Sequence, residues 1–158
     1  MSDTTGTTDG EWSAWRTLSL MHAQLVAAVG RSLAAVELSY TDFQVLETLG
    51  RAQGRARVVE LGDELGWEKS RVSHHVTRMQ ERGLVAKERC PTDHRGLYVV
   101  LTSEGRRVVR RAAPVYALVI QRNFVDRVTP AQLRGIRDAA DAVLDGLTAS
   151  DSGGYTLR

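Results

Sequence analysis

The sequence predicts a mainly α-helical fold that carries one small β-hairpin near its middle. Apolar residues recur every three or four positions over most of the chain, which is the period of an amphipathic helix. After Gly83 the pattern changes to two short apolar runs, separated by a charged segment with turn-forming residues. The chain has 158 residues, of which 42% are hydrophobic and three are proline, so it is long enough to bury the core of one compact domain.

The first predicted helix is long and covers residues 11–34. Its apolar stripe consists of Trp12, Trp15, Leu18, His22, Leu25, Val29 and Leu33. A second helix is expected to be capped by Thr41-Asp42 and to end near Gly50. Residues 53–55 are expected to form a loop.

Two short helices follow, with a glycine between them. The third helix covers residues 58–65 and ends at Gly66, whose lack of a Cβ atom suits a left-handed turn. The side chains predicted to face the core from this helix are Val59, Leu61 and Leu65. The fourth helix covers residues 68–82, and its inner face carries Val72, Val76 and Met79.

The predicted hairpin pairs residues 84–89 with residues 97–101 and has a seven-residue tip. Thr102-Ser103-Glu104 then caps a long helix in which Pro114 is expected to cause a bend rather than a break. Thr129-Pro130 begins a last helix that ends near Leu147. Residues 1–10 and 148–158 are expected to be flexible tails.

This order of elements predicts a winged helix-turn-helix over residues 41–102, flanked by long helices over 11–34 and 103–147. In that arrangement the second helix of the short pair enters the major groove of DNA, and the hairpin tip reaches the neighbouring minor groove. The chain is therefore expected to bind double-stranded DNA.

The fourth helix has an outer face suited to reading bases. Ser70, Ser73, His74 and Thr77 follow each other at helical spacing, opposite the apolar stripe. Cations that can bind phosphates flank this face at Lys69, Arg71 and Arg78.

The hairpin tip adds a second candidate contact with DNA. Arg95 is placed to insert into a narrow minor groove, and Asp93 is placed to orient an arginine, either Arg95 or one on the fourth helix. Residues 55–111 hold 13 Lys and Arg against eight Asp and Glu, although the whole chain carries a net charge of only +2. A basic middle is typical of a chain that binds a polyanion.

Four sequence fragments make the chain resemble the MarR-type bacterial transcription regulators. They are Leu65-Gly66, Arg82-Gly83-Leu84-Val85, Asp93-His94-Arg95-Gly96 and the run from Val100 to Gly105. The resemblance covers about residues 11 to 147 and rests on the order and spacing of these fragments. It implies a homodimer whose first, fifth and sixth helices form a shared dimerisation region. It also implies binding to pseudo-palindromic DNA, usually as a repressor released by a small molecule or by oxidation. One departure concerns a position of the fourth helix where relatives frequently carry arginine, because this chain has His74 there, followed by His75.

A dimer is also expected from the residues themselves. A winged helix-turn-helix closes its core in roughly 80 residues, so the apolar stripes of the flanking helices need another surface to cover them. A small organic effector would bind where these helices meet the winged lobe. Trp15, Arg16 and His22 are the candidates for lining that site, with Trp15 as a stacking surface and Arg16 as the partner of a carboxylate or phenolate.

Other functions find less support in the sequence. The lone Cys90 near His94 has no expected pocket for covalent catalysis, so we do not expect an enzyme, and an inert thiol is favoured over a redox sensor. No two of the four histidines stand at i, i+4, so no metal site or cofactor is evident, although a zinc-responsive regulator stays open. The first ten residues are polar and lack the pattern of a signal peptide, and no run is apolar enough to span a membrane, so we expect the chain in the cytoplasm. The alternative from another class is a winged-helix module that binds proteins and no DNA.

Overall fold

The computed structural model describes residues 8–89 and 97–151, with side chains up to residue 148. These residues fall into two compact units, which divide between Val119 and Ile120. The helices are α1 (Asp9–Ala34), α2 (Tyr40–Arg51), α3 (Val58–Leu65), α4 (Lys69–Glu81), α5 (Ser103–Asn123) and α6 (Pro130–Asp151). The strands are β1 (Arg55–Arg57), β2 (Val85–Arg89) and β3 (Leu97–Leu101), and a short 3-10 helix covers Val125–Arg127. The predicted fold class is therefore confirmed.

The start of α2 differs from the prediction, which placed its cap at Thr41-Asp42. The N-cap is Ser39, whose Oγ accepts a hydrogen bond from the N–H of Asp42 at 3.0 Å. The carboxylate of Asp42 accepts the N–H of Ser39 in return, at 3.3 Å. Asp42 is thus the third residue of the helix, and its side chain closes a capping box.

The sheet has three strands, because residues 55–57 form a strand that was not predicted and that overlaps the predicted loop 53–55 at Arg55. β1 pairs antiparallel with β3, and β3 pairs antiparallel with β2, so the order is β1-β3-β2. A three-residue strand is too short to show an alternating pattern in the sequence. The N–H of Leu101 donates to the carbonyl of Gly54 at 2.8 Å and fixes the entry into β1.

The core of the first unit lies between α1, α2, α3, α4 and the sheet. Its fully buried large side chains are Leu33, Leu46, Leu49, Leu61, Met79, Val29, Val45, Val72, Val76, Val85 and Val99. The prediction that Val59 faces the core is wrong, because this side chain is 52% exposed. Val59 stands two positions before Leu61, about 200° around the helix, so the two cannot both point inward.

The junction between the sheet and α5 depends on Thr102 and Gly105. The hydroxyl of Thr102 lies 2.7 Å from the carbonyl oxygen of Gly83 and accepts the N–H of Gly105 at 2.9 Å. Gly105 is buried, and a Cβ atom there would overlap the carbonyl oxygen of Leu84 and lie 2.8 Å from Leu101 Cδ1. The first turn of α5 therefore touches the backbone at the start of the hairpin. Further along, α5 continues through Pro114 without a break.

The second unit contains the end of α5, the 3-10 helix and α6. Several large apolar side chains of α6 are exposed in a single copy of the chain, among them Leu133, Val143, Leu144 and Leu147. None of the helices within 8–89 and 97–151 combines the length and apolar character needed to cross a bilayer.

We predict that Gly105→Ala destabilises the protein by about 1–3 kcal/mol, because the added methyl group meets backbone that cannot move freely. Gly50→Ala is the matched control, since Gly50 lies in α2 with no atom within 4 Å of an added Cβ. That change should raise the free energy of unfolding by up to about 1 kcal/mol. Urea unfolding followed by circular dichroism measures both, and equal effects of the two changes would contradict this account of Gly105.

Candidate nucleic-acid interface

The turn between α3 and α4 sets the direction of the recognition helix α4. Gly66 ends α3 in the left-handed conformation with φ 64°, as predicted. The N–H of Trp67 then donates to the carbonyl of Gly62 at 2.9 Å. A Cβ atom at Gly62 would lie 2.8 Å from the carbonyl oxygen of Trp67, so glycine is required for this tight turn.

The two faces of α4 divide as the sequence predicts. Val72, Val76 and Met79 are completely buried. On the opposite face Ser70, His74 and Thr77 are exposed, and Ser73 is half-buried. The three cations predicted to flank this face, Lys69, Arg71 and Arg78, are also exposed. The surface is therefore polar, carries three positive charges and stands on a rigid apolar base.

An open cleft of about 670 Å³ lies between α4 and the N-terminus of α2. Its lining consists of Ser39, Thr41, Ser70, Arg71, His74, His75 and Arg78. The hydroxyl-bearing residues Ser39 and Thr41 were missed as candidate site residues. The capping box at Ser39 and Asp42 is the signal that could have placed them there, since it fixes the first turn of α2.

Thr77 and Arg71 are among the predicted contact residues that already have partners within the chain. The hydroxyl of Thr77 donates to the carbonyl of Ser73 at 2.9 Å and accepts from Nζ of Lys87 at 2.8 Å, so its methyl group is the part left for a ligand. The guanidinium of Arg71 stacks over the ring of Trp67, with Cζ 4.3 Å from the ring centroid. This stacking orients Arg71 beside the base-reading face.

A buried carboxylate, Asp42, holds α4 against α2. Asp42 is 4% exposed, and its Oδ2 accepts a hydrogen bond from Nη1 of Arg82 at 2.6 Å. Its Oδ1 lies 2.9 Å from Nε2 of His75 in a short but bent contact. Arg82 also donates to the carbonyl of Glu37 at 2.9 Å, just before α2. The sequence showed only that His75 follows His74, and it indicated no partner for His75.

Asp42 is ionised in the folded protein. Burial opposes the charge, but the contacts from His75, Arg82 and Ser39 outweigh it and hold the pKa of Asp42 well below its usual range. Because the pKa is lower in the folded than in the unfolded chain, ionised Asp42 stabilises the fold above about pH 4. That contribution is lost as the pH falls toward the folded-state pKa.

The outer side of the sheet carries a short polar ladder. Cζ of Arg55 lies 3.9 Å from the ring centroid of Tyr98, and Nη2 of Arg55 lies 3.9 Å from a carboxylate oxygen of Glu88. The three side chains come from β1, β3 and β2 in turn. Asp93 and Arg95, together with Cys90 and His94, lie outside the described residues, so the contacts expected of the hairpin tip stay predictions.

The candidates for effector binding are exposed on α1. Trp15 is 61% exposed, and Arg16 and His22 are exposed as well. A smaller cleft of about 240 Å³, which the sequence did not indicate, is lined by the aromatic residues Tyr40, Phe43 and Tyr116 together with mostly polar and charged side chains. The rings of Phe43 and Tyr116 are 4.7 Å apart, and burial raises the pKa of Tyr40.

Metal binding finds no support in the part of the chain that the structure describes. No group of three or more His, Cys, Asp or Glu side chains is close enough there to hold an ion. Of the four histidines, His75 is engaged by Asp42 and by Nη2 of Arg78.

Comparison with known proteins agrees with this geometry. The model of the MarR family matches residues 37–96. The structure of AbsC, a MarR family transcriptional regulator from Streptomyces coelicolor, superposes with a TM-score of 0.87 at 32% identity, over 93% of this chain and 100% of that chain. Sco3205, a MarR family regulator of the same organism whose structure is a complex with DNA, gives a TM-score of 0.85 at 31% identity, over 89% and 93%. YkoM of Bacillus subtilis (strain 168), an HTH-type transcriptional regulator, is 30% identical over 84 residues, which are 53% of this chain and 54% of YkoM.

The fold is a winged helix-turn-helix of the kind found in transcriptional regulators. Its marks are the exposed polar face of α4, the left-handed turn before that helix and the paired strands after it. The chain belongs to the MarR family, as the motifs in its sequence indicated. The chain spans about half the length of YkoM, the curated relative that it matches.

We predict that Asp42→Asn lowers the free energy of unfolding by about 2 kcal/mol at pH 7, because Arg82 and His75 lose a charged partner. The loss should shrink by about 1 kcal/mol at pH 3, where the unfolded wild-type chain takes up a proton that the folded chain does not. Asp63→Asn is the control, since Asp63 is exposed on α3. Urea unfolding of the three proteins at both pH values measures this, and an Asp42→Asn deficit that does not change with pH would contradict it.

Proposed function

We propose that this chain is a homodimeric repressor that binds a pseudo-palindromic DNA site through α4 and is released by a small-molecule effector. The observation that carries the proposal is the outer face of α4, where polar side chains lie between three exposed cations on a buried apolar base. Such a face combines the two classes of contact that groove recognition requires.

The side chains of α4 divide naturally between phosphates and bases. Lys69, Arg71 and Arg78 supply positive charge for the two DNA backbones. Ser70, Ser73 and His74 supply hydrogen-bonding groups that can approach base edges. The methyl group of Thr77 suits a thymine methyl, since its hydroxyl is engaged within the protein. We keep Asp93 and Arg95 as the proposed minor-groove contact of the hairpin tip.

A second copy of the chain is the proposed cover for the exposed apolar side chains. In the first unit, α1 exposes Trp12, Trp15, Leu18 and Leu20, by 44% to 62%. In the second unit, α6 exposes Val143, Leu144 and Leu147, by 49% to 62%. Apolar surface of this extent is unusual on a monomer and typical of an interface between copies. A dimer would hold two copies of α4 about 34 Å apart, one turn of DNA.

Effector release is proposed with two candidate sites. Trp15, Arg16 and His22 are candidates from the sequence, and their exposure in one copy requires a second copy to enclose a ligand. The cleft at Tyr40, Phe43 and Tyr116 is already formed within one chain, and its 240 Å³ is just below the usual range for a small-molecule site. Its three aromatic rings stand beside charged side chains, among them Glu47, Arg51 and Glu64, so it suits a ligand with both an aromatic ring and polar groups.

DNA binding is tested by fluorescence anisotropy with a selected site and a scrambled duplex over a range of salt. Affinity of the wild type should fall steeply as salt rises, because counterions are released. Lys69→Ala should weaken binding to both duplexes alike and reduce the salt slope by about 1. Ser73→Ala should instead reduce the preference for the selected site with little change on the scrambled duplex. Binding that ignores salt, or no binding to any duplex, would favour a protein-interaction module instead.

The dimer is tested by sedimentation equilibrium. We expect a particle of twice the 17.4 kDa chain mass at micromolar concentration. Leu144→Glu should shift it toward monomer, because the change buries a charge in the proposed interface. Ala142→Glu is the matched control, since residue 142 stands about 160° around the helix from residue 144. A wild type that sediments as a 17.4 kDa monomer would end the proposal.

A further inference from the structure

His75 lies on the recognition helix and lines the same cleft as Ser70, Arg71, His74 and Arg78, but its side chain is almost completely buried. It is 8% exposed and meets three neighbours. Its Nδ1 lies 3.0 Å from Nη2 of Arg78, and its Nε2 lies 2.9 Å from Oδ1 of Asp42. The ring of Trp67 meets the imidazole edge-on, with ring centroids 5.7 Å apart. His75 therefore connects the buried carboxylate to a cation of the exposed surface.

The contact with Arg78 determines where His75 carries its proton. A guanidinium only donates hydrogen bonds, so Nδ1 must be the unprotonated nitrogen that accepts. The neutral ring then bears its proton on Nε2, toward the carboxylate of Asp42. In this form the protonated Nε2 lies 2.9 Å from Oδ1 of Asp42, a short electrostatic contact that is too bent to count as a hydrogen bond.

We propose that His75 is a positioning residue for DNA recognition, which holds the guanidinium of Arg78 toward the DNA through an Asp42–His75–Arg78 relay. The inference rests on the proposed function and assigns a role that the exposed face alone does not show. An arginine side chain without such an anchor loses much rotamer freedom when it binds a phosphate or base. Arg78 held by His75 meets the DNA already oriented.

The relay is sensitive to pH because a protonated imidazole cannot accept. Protonation places an N–H and a positive charge against Arg78, while the contact with Asp42 is kept. Among the described residues, four charged groups surround His75. Asp42 belongs to α2, and Arg78 and Arg82 follow His75 in the sequence. Arg71 lies on the other side of the Trp67 ring. On β2, Lys87 is bonded to Thr77, further along α4. Acidification is thus expected to release Arg78 and weaken DNA binding.

The direction of this effect separates His75 from its neighbour. His74 is exposed on the proposed DNA surface, and its protonation would add a cation near phosphates and strengthen binding. His75 has the opposite effect. A comparison of two proteins that differ only at residue 75 cancels the contribution of every other histidine.

Two substitutions at His75 test the roles of Nδ1 and Nε2 separately. His75→Asn places an amide oxygen near the position of Nδ1, so it can accept from Arg78 without titrating. His75→Gln places an amide N–H near the position of Nε2, so it retains a donor for Asp42 and offers Arg78 no well-placed acceptor. Circular dichroism and urea unfolding establish that each variant is folded.

The experiment measures DNA affinity at constant salt at about pH 8 and about pH 5.5. At the higher pH, His75→Asn should bind within about twofold of the wild type, and His75→Gln should bind about tenfold more weakly, as for loss of one charged hydrogen bond. At the lower pH, the wild type should lose about tenfold relative to His75→Asn. A wild-type to His75→Asn affinity ratio that is the same at both pH values overturns the inference.

Two controls distinguish this inference from the proposed function. Arg78→Ala should weaken binding at the higher pH about as much as His75→Gln, and should not respond further to a change at residue 75. If the wild type binds no duplex at either pH, the proposed function itself fails. A long-range ¹H–¹⁵N spectrum of the full chain without DNA reports the ring directly. It should show the Nε2–H tautomer of His75 at the higher pH, and the Nδ1–H tautomer or an imidazolium there overturns the relay.

Discussion

The position of the recognition helix depends on one buried carboxylate, that of Asp42. Its two oxygens meet the N–H of Ser39 at the start of α2, the guanidinium of Arg82 after α4 and the imidazole of His75 within α4. Asp42 and Arg82 are 40 residues apart in the sequence, so this contact ties the first helix of the winged lobe to the residue that follows α4. A carboxylate can be buried in this way only when charged or polar partners satisfy it. The loss of any one partner would therefore weaken the contacts that Asp42 makes with the others.

This constraint explains why the outer face of α4 is available for a ligand. The inner face is held by apolar packing at Val72, Val76 and Met79, and the rotation of the helix is fixed by the polar contacts of His75 and Arg82. The helix backbone that carries Ser70, Ser73, His74 and the flanking cations is consequently held in one orientation on the lobe. Recognition of a DNA groove requires that rigidity, because hydrogen bonds to base edges tolerate little displacement.

The sequence predicted those elements of the fold that follow from the spacing of apolar residues and from the positions of glycine. The third helix and the strand from Leu97 to Leu101 agree with the structure residue for residue, and Gly66 adopts the left-handed turn expected of it. The strand at Arg55–Arg57 could not be predicted, because three residues show no alternation and owe their conformation to pairing with β3. Val59 was assigned to the core although it lies on the other side of the helix from Leu61.

The polar contacts of the site were harder to predict from the sequence than its apolar packing. Spacing identified the exposed face of α4, since it lies opposite a regular stripe. The partner of His75 could not be found that way, because Asp42 belongs to another helix and its proximity is a product of the tertiary fold. The start of α2 was placed too late, with a cap at Thr41-Asp42, for a related reason, since Ser39 and Asp42 cap the helix jointly.

The central claim is that α4, held by Asp42, is inserted into the major groove with its outer face toward the bases. A crystal structure of the chain bound to a selected duplex tests this most directly. We expect Ser70, Ser73 and His74 within hydrogen-bonding distance of base edges, with Arg78 on the DNA and still bonded to His75. A complex in which DNA lies on another surface, with α4 open to solvent, would contradict the account.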